Sequence, residues 1–127
     1  ARRVVLDTNT VLSALLFVLY LKLWWSSRAN AAYQRYIATV RLRILIKTAD
    51  GKRGRLFVFD KGTLRSLPGA DHACDAALVW ADVFTALRVM LAGSDKATFN
   101  AAAKGKVKVE GMAFYIQWFN DGIKLIS

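Results

Sequence analysis

The segment from Asp75 to Gly111 constrains the fold most, because it predicts a strand, two helices and another strand within 37 residues. Asp82 stands where a helix N-cap is expected, and Gly93 stands where that helix would end. Apolar residues recur at helical spacing between them: Val83, Phe84, Leu87, Met90 and Leu91. This segment therefore provides mainly apolar surface for packing.

A shorter helix and a strand complete the segment. Ser94 or Asp95 opens the second helix, which ends near Gly105 and carries Phe99, Ala102 and Ala103 on one side. The strand that follows alternates strictly, with Val107 and Val109 on one face and charged residues on the other. Period-two alternation predicts a half-buried strand.

Composition bounds the fold and the class of partner. A chain of 127 residues is the size of one domain, and its 55% hydrophobic content exceeds the roughly 45–50% of ordinary globular chains. The excess apolar surface requires a core, a ligand cavity, a partner surface or a membrane. The net charge of +10 is concentrated in the first 60 residues, which hold 11 bases and 3 acids. Such a surface attracts polyanions without choosing among nucleic acid, anionic lipid and acidic protein.

Few residue types that support catalysis or metal binding are present. Cys74 and His72 are the single cysteine and the single histidine, and the chain has no CxxC motif. A disulfide framework and a multi-histidine zinc site are excluded, and no motif indicates a cofactor. The lone thiol is compatible with a cytoplasmic or membrane-peripheral protein.

The first part of the chain is unusually apolar. After a short extended VVL, residues 8–21 carry no charge, and this run is shorter than the roughly 20 residues of a membrane span. Ser26 or Ser27 is expected to cap a second helix before residue 37. Trp24 and Trp25 lie beside basic residues, a composition typical of a membrane interface. Residues 11–28 therefore predict an anionic membrane surface as a partner, with burial in the core or a homodimer contact as alternatives.

Alternation continues from residue 40. In the strand VRLRILIKT, Leu42, Ile44 and Ile46 face one way, and two turns containing Asp and Gly join it to RLFVFD and TLRSL. AALVW is a fourth strand, while the tail after Gly111 fits a strand or a helix equally well. The order predicts an α+β domain over residues 1–127, with a helical part at 1–37 and, at 38–127, a five-stranded, mostly antiparallel sheet with helices on one face.

From about Val40 to Phe119 the chain resembles the sterol carrier protein 2 (SCP-2) lipid-binding domain family. The landmarks are the double hairpin DGKRGRLFVFDKGTLRSLPG, the strand after Asp75, the helix ADVFTALRVMLAG, the helix with Phe99 and the strand GKVKVEGM. The first 25 residues depart from the family, whose first helix is expected to be polar and amphipathic.

The resemblance implies an apolar tunnel that holds a fatty acid, acyl-CoA, sterol or phospholipid, without catalysis or cofactor. Carried over by position, the tunnel is lined by Phe84, Leu87, Met90, Leu91, Phe99, Met112, Ile116 and Phe119. The basic hairpin residues Lys52, Arg53 and Arg55 are candidates for contact with an anionic headgroup or surface. The apolar N-terminal helix would then cover the tunnel mouth or dock on a membrane.

Two alternatives remain. The opening RVVLDTNTVLSALLF is similar to the first strand and helix of PIN-domain nucleases, in which Asp7 would bind magnesium, although such a site needs further carboxylates. The basic hairpins with Phe57 and Phe59 suggest a nucleic-acid-binding module, which is less favoured because both faces of that strand are apolar. The sequence predicts lipid binding or transfer, either as a free-standing carrier or as an accessory domain of a larger enzyme.

Overall fold

A computed structural model describes residues 8–92 and 95–126 of the chain. Five helices and five strands occur in these ranges. The helices are α1 (Thr8–Ala29), α2 (Ala31–Ile37), α3 (Val83–Ala92), α4 (Asp95–Ala103) and α5 (Ala113–Leu125). The strands are β1 (Arg41–Thr48), β2 (Gly54–Asp60), β3 (Thr63–Pro68), β4 (Ala76–Trp80) and β5 (Val107–Gly111). The predicted VVL strand and the predicted helix end at Gly93 lie outside the described residues.

The strands form one mixed sheet in the order β3-β2-β1-β4-β5. The predicted meander β1-β2-β3 is antiparallel, β4 pairs with β5 antiparallel, and β4 joins β1 in parallel. The parallel pair places Ile46 beside Leu78 and brings the carboxyl-terminal ends of β1 and β4 side by side. The α+β class and the mostly antiparallel sheet are confirmed.

The helices cover one face of the sheet, as predicted. Leu42, Ile44 and Ile46 of β1 belong to the main core with residues from all five helices. Leu45 points to the opposite face, where a small cluster of sheet residues is buried without a helix among its members. Period-two alternation therefore assigned the two faces of β1 correctly.

The boundary between the first two helices was predicted in the wrong place. Neither Ser26 nor Ser27 caps a helix, because the Ser27 hydroxyl donates to the Trp24 carbonyl at 2.6 Å and stays within α1. Asn30 is the N-cap of α2, and its Oδ1 accepts from the Tyr33 backbone N–H at 3.1 Å. The apolar N-terminal helix is thus 22 residues long.

Two further expectations are resolved by burial. On α4, Phe99, Ala102 and Ala103 are exposed, and the core is contacted instead by Ala97 and Ala101. The ambiguous tail is the helix α5, whose buried residues are Ile116, Phe119 and Gly122. A helix with this spacing buries one side against the sheet, which a single edge strand after β5 would not do.

Candidate functional site

A partly enclosed cavity of about 180 Å³ lies between the central strands β1 and β4 and four of the helices. Its floor consists of Ile46, Leu78 and Trp80 from the helix-covered face of the sheet. Its walls come from α1, α3, α4 and α5: Leu19, Val89, Met90, Thr98, Phe119, Asn120, Ile123 and Lys124. Mostly apolar walls with a few polar side chains are typical of small-molecule sites.

One residue of the cavity floor, Trp80, carries a buried indole N–H. The residue is 2% exposed, and its indole Nε1–H is buried without a hydrogen-bond partner in the structure. Its main chain is held at the end of β4, because the Trp80 carbonyl accepts from the Ala49 N–H at 2.8 Å. Most buried donors in folded proteins have an acceptor, and an unmet one costs roughly 1–3 kcal/mol.

Helix α3 is positioned by its cap. The Asp82 carboxylate accepts from the Thr85 backbone N–H at 2.7 Å and from the Thr85 hydroxyl at 3.0 Å. These hydrogen bonds lower the pKa of Asp82, with the backbone bond as the largest cause. The predicted N-cap is confirmed, and it fixes the start of the helix that brings Val89 and Met90 to the cavity.

The predicted tunnel residues do not all meet. Met90 and Phe119 line the cavity, Ile116 is buried in the core, and Leu87 packs partly buried against it. The other four are exposed at the surface: Phe84 (71%), Leu91 (71%), Phe99 (73%) and Met112 (58%). A ligand-binding role for these four stays a prediction.

The sequence interpretation missed the cavity floor and the end of α5. Ile46 and Leu78 meet through the parallel pairing of β1 and β4, and no local pattern encodes that pairing. The sequence did contain a signal for the residues that α5 contributes to the cavity. Once the tail is a helix, Ile123 lies four residues after Phe119 and on the same side.

The basic hairpin residues occupy different environments. Lys52 is exposed in the turn between β1 and β2, while Arg53 is partly buried and its Nη1 donates to the Lys52 carbonyl at 3.2 Å. Arg55 lies on the helix side, where its guanidinium is 5.2 Å from the Phe17 ring centroid and Nη1 donates to Ser66 Oγ at 2.8 Å. Lys52 is therefore the most accessible of the three predicted headgroup contacts.

Helix α1 is apolar on both its inner and its outer side. Leu12, Leu16 and Leu23 are buried in the main core. The outer side presents Val18, Leu21 and Trp25, the last 66% exposed. Trp24 instead packs against the core with the Arg28 guanidinium 4.7 Å from its ring centroid, so the predicted tryptophan pair is split between two environments.

By length and composition, Thr10–Ala29 also meets the criterion for a membrane span. The core helix of a soluble protein passes the same test, but such a helix is mostly buried, whereas 17% of this apolar window is buried inside the fold. The three buried leucines give this helix a place in the fold against the sheet.

Catalytic groups are sparse in the part of the chain that the structure describes. His72 Nε2 lies 2.8 Å from the Pro68 carbonyl, a contact that holds the turn after β3. Burial is the main cause that raises the pKa of the Cys74 thiol, which opposes thiolate formation. Within the described residues no three His, Cys, Asp or Glu side chains group as metal ligands. Asp7 of the nuclease-like motif lies outside them.

The structure also bears on the nucleic-acid alternatives. Phe57 and Phe59 are buried in the main core, so neither ring is available for stacking with a base. Three of the four strand pairs are antiparallel, unlike the parallel sheet expected of a PIN domain. Both observations count against the nucleic-acid alternatives.

Comparison with solved structures identifies the fold. A structure described as "UbiJ-SCP2 Ubiquinone synthesis protein" matches with a TM-score of 0.62 and 12% identity, over 96% of both chains. The crystal structure of a sterol carrier protein 2 matches with a TM-score of 0.55 and 16% identity, over 86% of this chain and 93% of the other. The sec-alkylsulfatase Pisa1 from Pseudomonas sp. matches with a TM-score of 0.51 and 13% identity, over 69% of this chain and 14% of the enzyme.

Sequence comparison adds no relative. No family model matches the chain, and no curated protein is significantly similar to it. At 12–16% identity the structural matches establish the architecture, and they agree with the landmarks noted between Val40 and Phe119. The chain has the fold of the sterol carrier protein 2 domain.

Proposed function

We propose that this chain binds or transfers a hydrophobic ligand without converting it chemically. The observation that carries the proposal is the apolar cavity between the sheet and helices α1, α3, α4 and α5. The ligand classes are those implied by the SCP-2 resemblance: a fatty acid, acyl-CoA, sterol or phospholipid. Two of the matched solved structures, which cover 96% and 86% of this chain, are described as an SCP2 protein and as a sterol carrier protein 2, and this supports the same assignment.

The size of the cavity indicates how such a ligand would be held. About 180 Å³ is below the roughly 300–1,000 Å³ of most ligand sites, so a whole lipid requires the walls to separate. The floor is fixed by strand pairing, whereas the walls are single helices. Met90 is a flexible side chain that repacks at little cost. Apolar burial contributes about 25 cal/mol per Å² of ligand surface removed from water.

The outer side of α1 is proposed as the surface that meets an anionic membrane. Val18, Leu21 and Trp25 recur at three- and four-residue spacing and form one exposed apolar stripe. Lys22 and Arg28 are exposed on the same helix and can attract lipid headgroups. Because the buried leucines face the sheet, α1 can contact a membrane without leaving the fold. Lys52 is the hairpin residue best exposed for headgroup contact.

Extraction and ligand-uptake measurements test the proposal. Organic extraction of the purified protein followed by mass spectrometry is expected to release a lipid, and the emptied protein is expected to bind a fluorescent fatty acid. Leu78→Phe adds bulk to the cavity floor and should weaken uptake about tenfold or more. Leu67→Phe makes the same change at an exposed site on the opposite face of the sheet and should leave uptake unchanged. A blank extract together with no uptake would overturn the proposal.

A further inference from the structure

A second pocket lies between α3, α4 and the start of β5, and its lining is basic. Its volume is about 350 Å³, which is within the range of small-molecule sites. Three cationic residues line it: Arg88 from α3, Lys104 just after α4 and Lys106 just before β5. The other lining residues are uncharged: Thr85, Val89, Ala97, Asn100 and Ala101. Among the residues that the structure describes, no carboxylate belongs to this lining. Val89 borders both this pocket and the apolar cavity.

Backbone hydrogen bonds hold the two lysines at the pocket. The Lys106 N–H donates to the Ala101 carbonyl at 2.8 Å, and the Lys106 carbonyl accepts from the Ala81 N–H at 2.8 Å. The Lys104 N–H donates to the Asn100 carbonyl at 3.1 Å. These bonds tie the turn before β5 to α4 and to the segment that leads into α3. Basic residues from three parts of the chain are therefore held around one pocket.

The positive charge of the pocket is not neutralised by acidic neighbours. Three ion pairs occur in the described part of the chain, all on the sheet face opposite the helices: Arg41–Asp60, Arg43–Asp75 and Lys47–Glu110. None of them includes a cation of the pocket. Hydrogen bonds from Thr85 lower the pKa of Asp82, and the nearby charges of Lys106 and Arg88 lower it further, so both charges lie near the start of α3. Even when Asp82 is counted, the pocket keeps two more cations than acids.

Exposed apolar side chains lie beside the basic residues. Phe84 and Leu91 stand four residues before and three residues after Arg88, which places all three on one side of α3. Phe99 of α4 is also exposed and directly precedes Asn100 of the pocket lining. Cations next to exposed apolar side chains are typical of surfaces that meet anionic lipid headgroups.

We propose that this pocket binds a phosphomonoester group between Arg88, Lys104 and Lys106. Such a group carries a charge of about −1.5 to −2 at pH 7 and three strong acceptor oxygens. It therefore matches the excess positive charge, and each cation can donate to a different oxygen. A carboxylate has a single charge and would leave part of that excess unmatched. A lipid headgroup or a soluble phosphate ester can supply the group, and the neighbouring Phe84 and Leu91 favour the lipid. The proposal goes beyond the proposed function, because the apolar cavity has no part in it.

Glycerol 3-phosphate tests the pocket with a soluble phosphomonoester, and glycerate supplies a carboxylate of similar size. In a proton–nitrogen correlation NMR titration of the wild type, the backbone signals of Lys104 and Lys106 should shift saturably with glycerol 3-phosphate. The double variant Arg88→Gln with Lys104→Gln should weaken this binding at least tenfold. The double variant Arg35→Gln with Arg65→Gln removes the same number of charges outside the pocket and should bind as the wild type does. All four substituted side chains are exposed, so the urea midpoints should stay nearly unchanged.

Vesicles distinguish a lipid headgroup from a soluble phosphate ester. Phosphatidylcholine vesicles that contain phosphatidic acid are compared with phosphatidylserine vesicles of equal surface charge. Tighter binding to phosphatidic acid, lost in Arg88→Gln with Lys104→Gln, would support the proposal with a lipid as the source. Saturable binding of glycerol 3-phosphate without a preference between the vesicles would support it with a soluble source.

Four results would overturn the proposal. Equal weakening in the two double variants would show a response to net charge alone. Glycerate binding as tight as that of glycerol 3-phosphate would contradict the phosphomonoester assignment. Tighter binding of an oligothymidine without a terminal phosphate, lost in Arg88→Gln with Lys104→Gln, would assign the pocket to a nucleic-acid backbone. No shift with glycerol 3-phosphate and no preference for phosphatidic acid would exclude the site. Uptake of a fluorescent fatty acid should be the same in all three proteins, so failure here leaves the proposed lipid-binding function intact.

Discussion

Tyr36 and Trp118 are joined twice, by stacked rings and by a hydrogen bond. Their ring centroids are 5.2 Å apart with planes 8° from parallel, and the Tyr36 hydroxyl donates to the Trp118 carbonyl at 2.8 Å. The contact spans 82 residues of sequence and fixes α2 against α5. Because α5 forms one wall of the cavity, this pair helps to set the position of that wall.

Tyr36→Phe is expected to lower the free energy of unfolding by about 1 kcal/mol. The substitution keeps the stacked ring and removes only the hydroxyl, and a hydrogen bond contributes roughly 0.5–1.5 kcal/mol net. Urea unfolding followed by circular dichroism measures the change. The control is Tyr115→Phe, at a partly buried tyrosine on α5. It should lower the free energy of unfolding by less than half as much. Equal losses in the two variants would contradict the role given to the Tyr36 hydroxyl.

Gly122→Ala is expected to destabilise the protein although alanine favours helices by about 1 kcal/mol over glycine. A Cβ at position 122 would lie 3.0 Å from Tyr36 Cε1 and 3.3 Å from Tyr33 Cε1. Tyr36 cannot yield easily, because its ring is stacked on Trp118 and its hydroxyl is engaged. A lower urea midpoint for Gly122→Ala, with a smaller decrease when the same change is made in a Tyr36→Ala background, would support this explanation. A raised midpoint in the single variant would refute it.

Asp82→Ala should lower the free energy of unfolding by about 1 kcal/mol, which is the usual effect of removing a helix N-cap. Asp82→Asn keeps an acceptor for the Thr85 N–H and should cost less, which makes it the matched control. The pKa of Asp82 is lowered in the folded protein. The contribution of the ionised Asp82 to the free energy of unfolding is therefore complete above the unfolded pKa of about 3.8. It is lost as pH falls through the folded pKa. Urea midpoints between pH 2 and pH 6 should converge for the wild type and Asp82→Asn at the acid end.

Alkaline pH should destabilise the protein through Tyr33. Burial is the main cause that raises its pKa above the ordinary value of 10.0, and the neighbouring Tyr36 adds to the effect. The neutral phenol is favoured by folding, so its contribution is full below about pH 10 and is lost as pH rises from there toward the folded pKa. The urea midpoint should fall less steeply above pH 10 in Tyr33→Phe than in the wild type or in Tyr115→Phe. Parallel slopes in all three proteins would exclude Tyr33 as the cause.

Strand positions and faces were predictable because their signal is local. In β1 the alternation of Leu42, Ile44 and Ile46 with basic residues identified the core face. Leu45, on the other face, belongs to a separate small cluster of buried residues. The cap at Asp82 was predictable for the same reason, since the carboxylate and the N–H that it accepts from are three residues apart.

The cavity was only half predictable, since it depends on contacts between segments distant in sequence. Met90 lines the cavity, whereas Phe84 and Leu91, which the resemblance placed in the same tunnel and which share its helical spacing, are exposed. On a helix that is apolar nearly all round, periodicity does not say which side meets the sheet. The floor needed the parallel pairing of β1 with β4, and the parallel partner of a strand is not encoded within it.

The proposed membrane surface on α1 is tested best by surface substitutions. Removing the whole helix would uncover the core residues that Leu12, Leu16 and Leu23 contact, so a truncated chain would unfold whatever its role at membranes. The double variant Val18→Ser with Trp25→Ser changes only exposed side chains and should leave the urea midpoint nearly unchanged. Its binding to vesicles of phosphatidylcholine and phosphatidylserine should fall at least tenfold. Leu67→Ser removes a half-exposed leucine on the opposite face of the sheet and should bind as the wild type does. Equal binding by all three proteins would exclude this side of α1 as the contact, and a loss confined to Leu67→Ser would place the contact on the other face of the sheet.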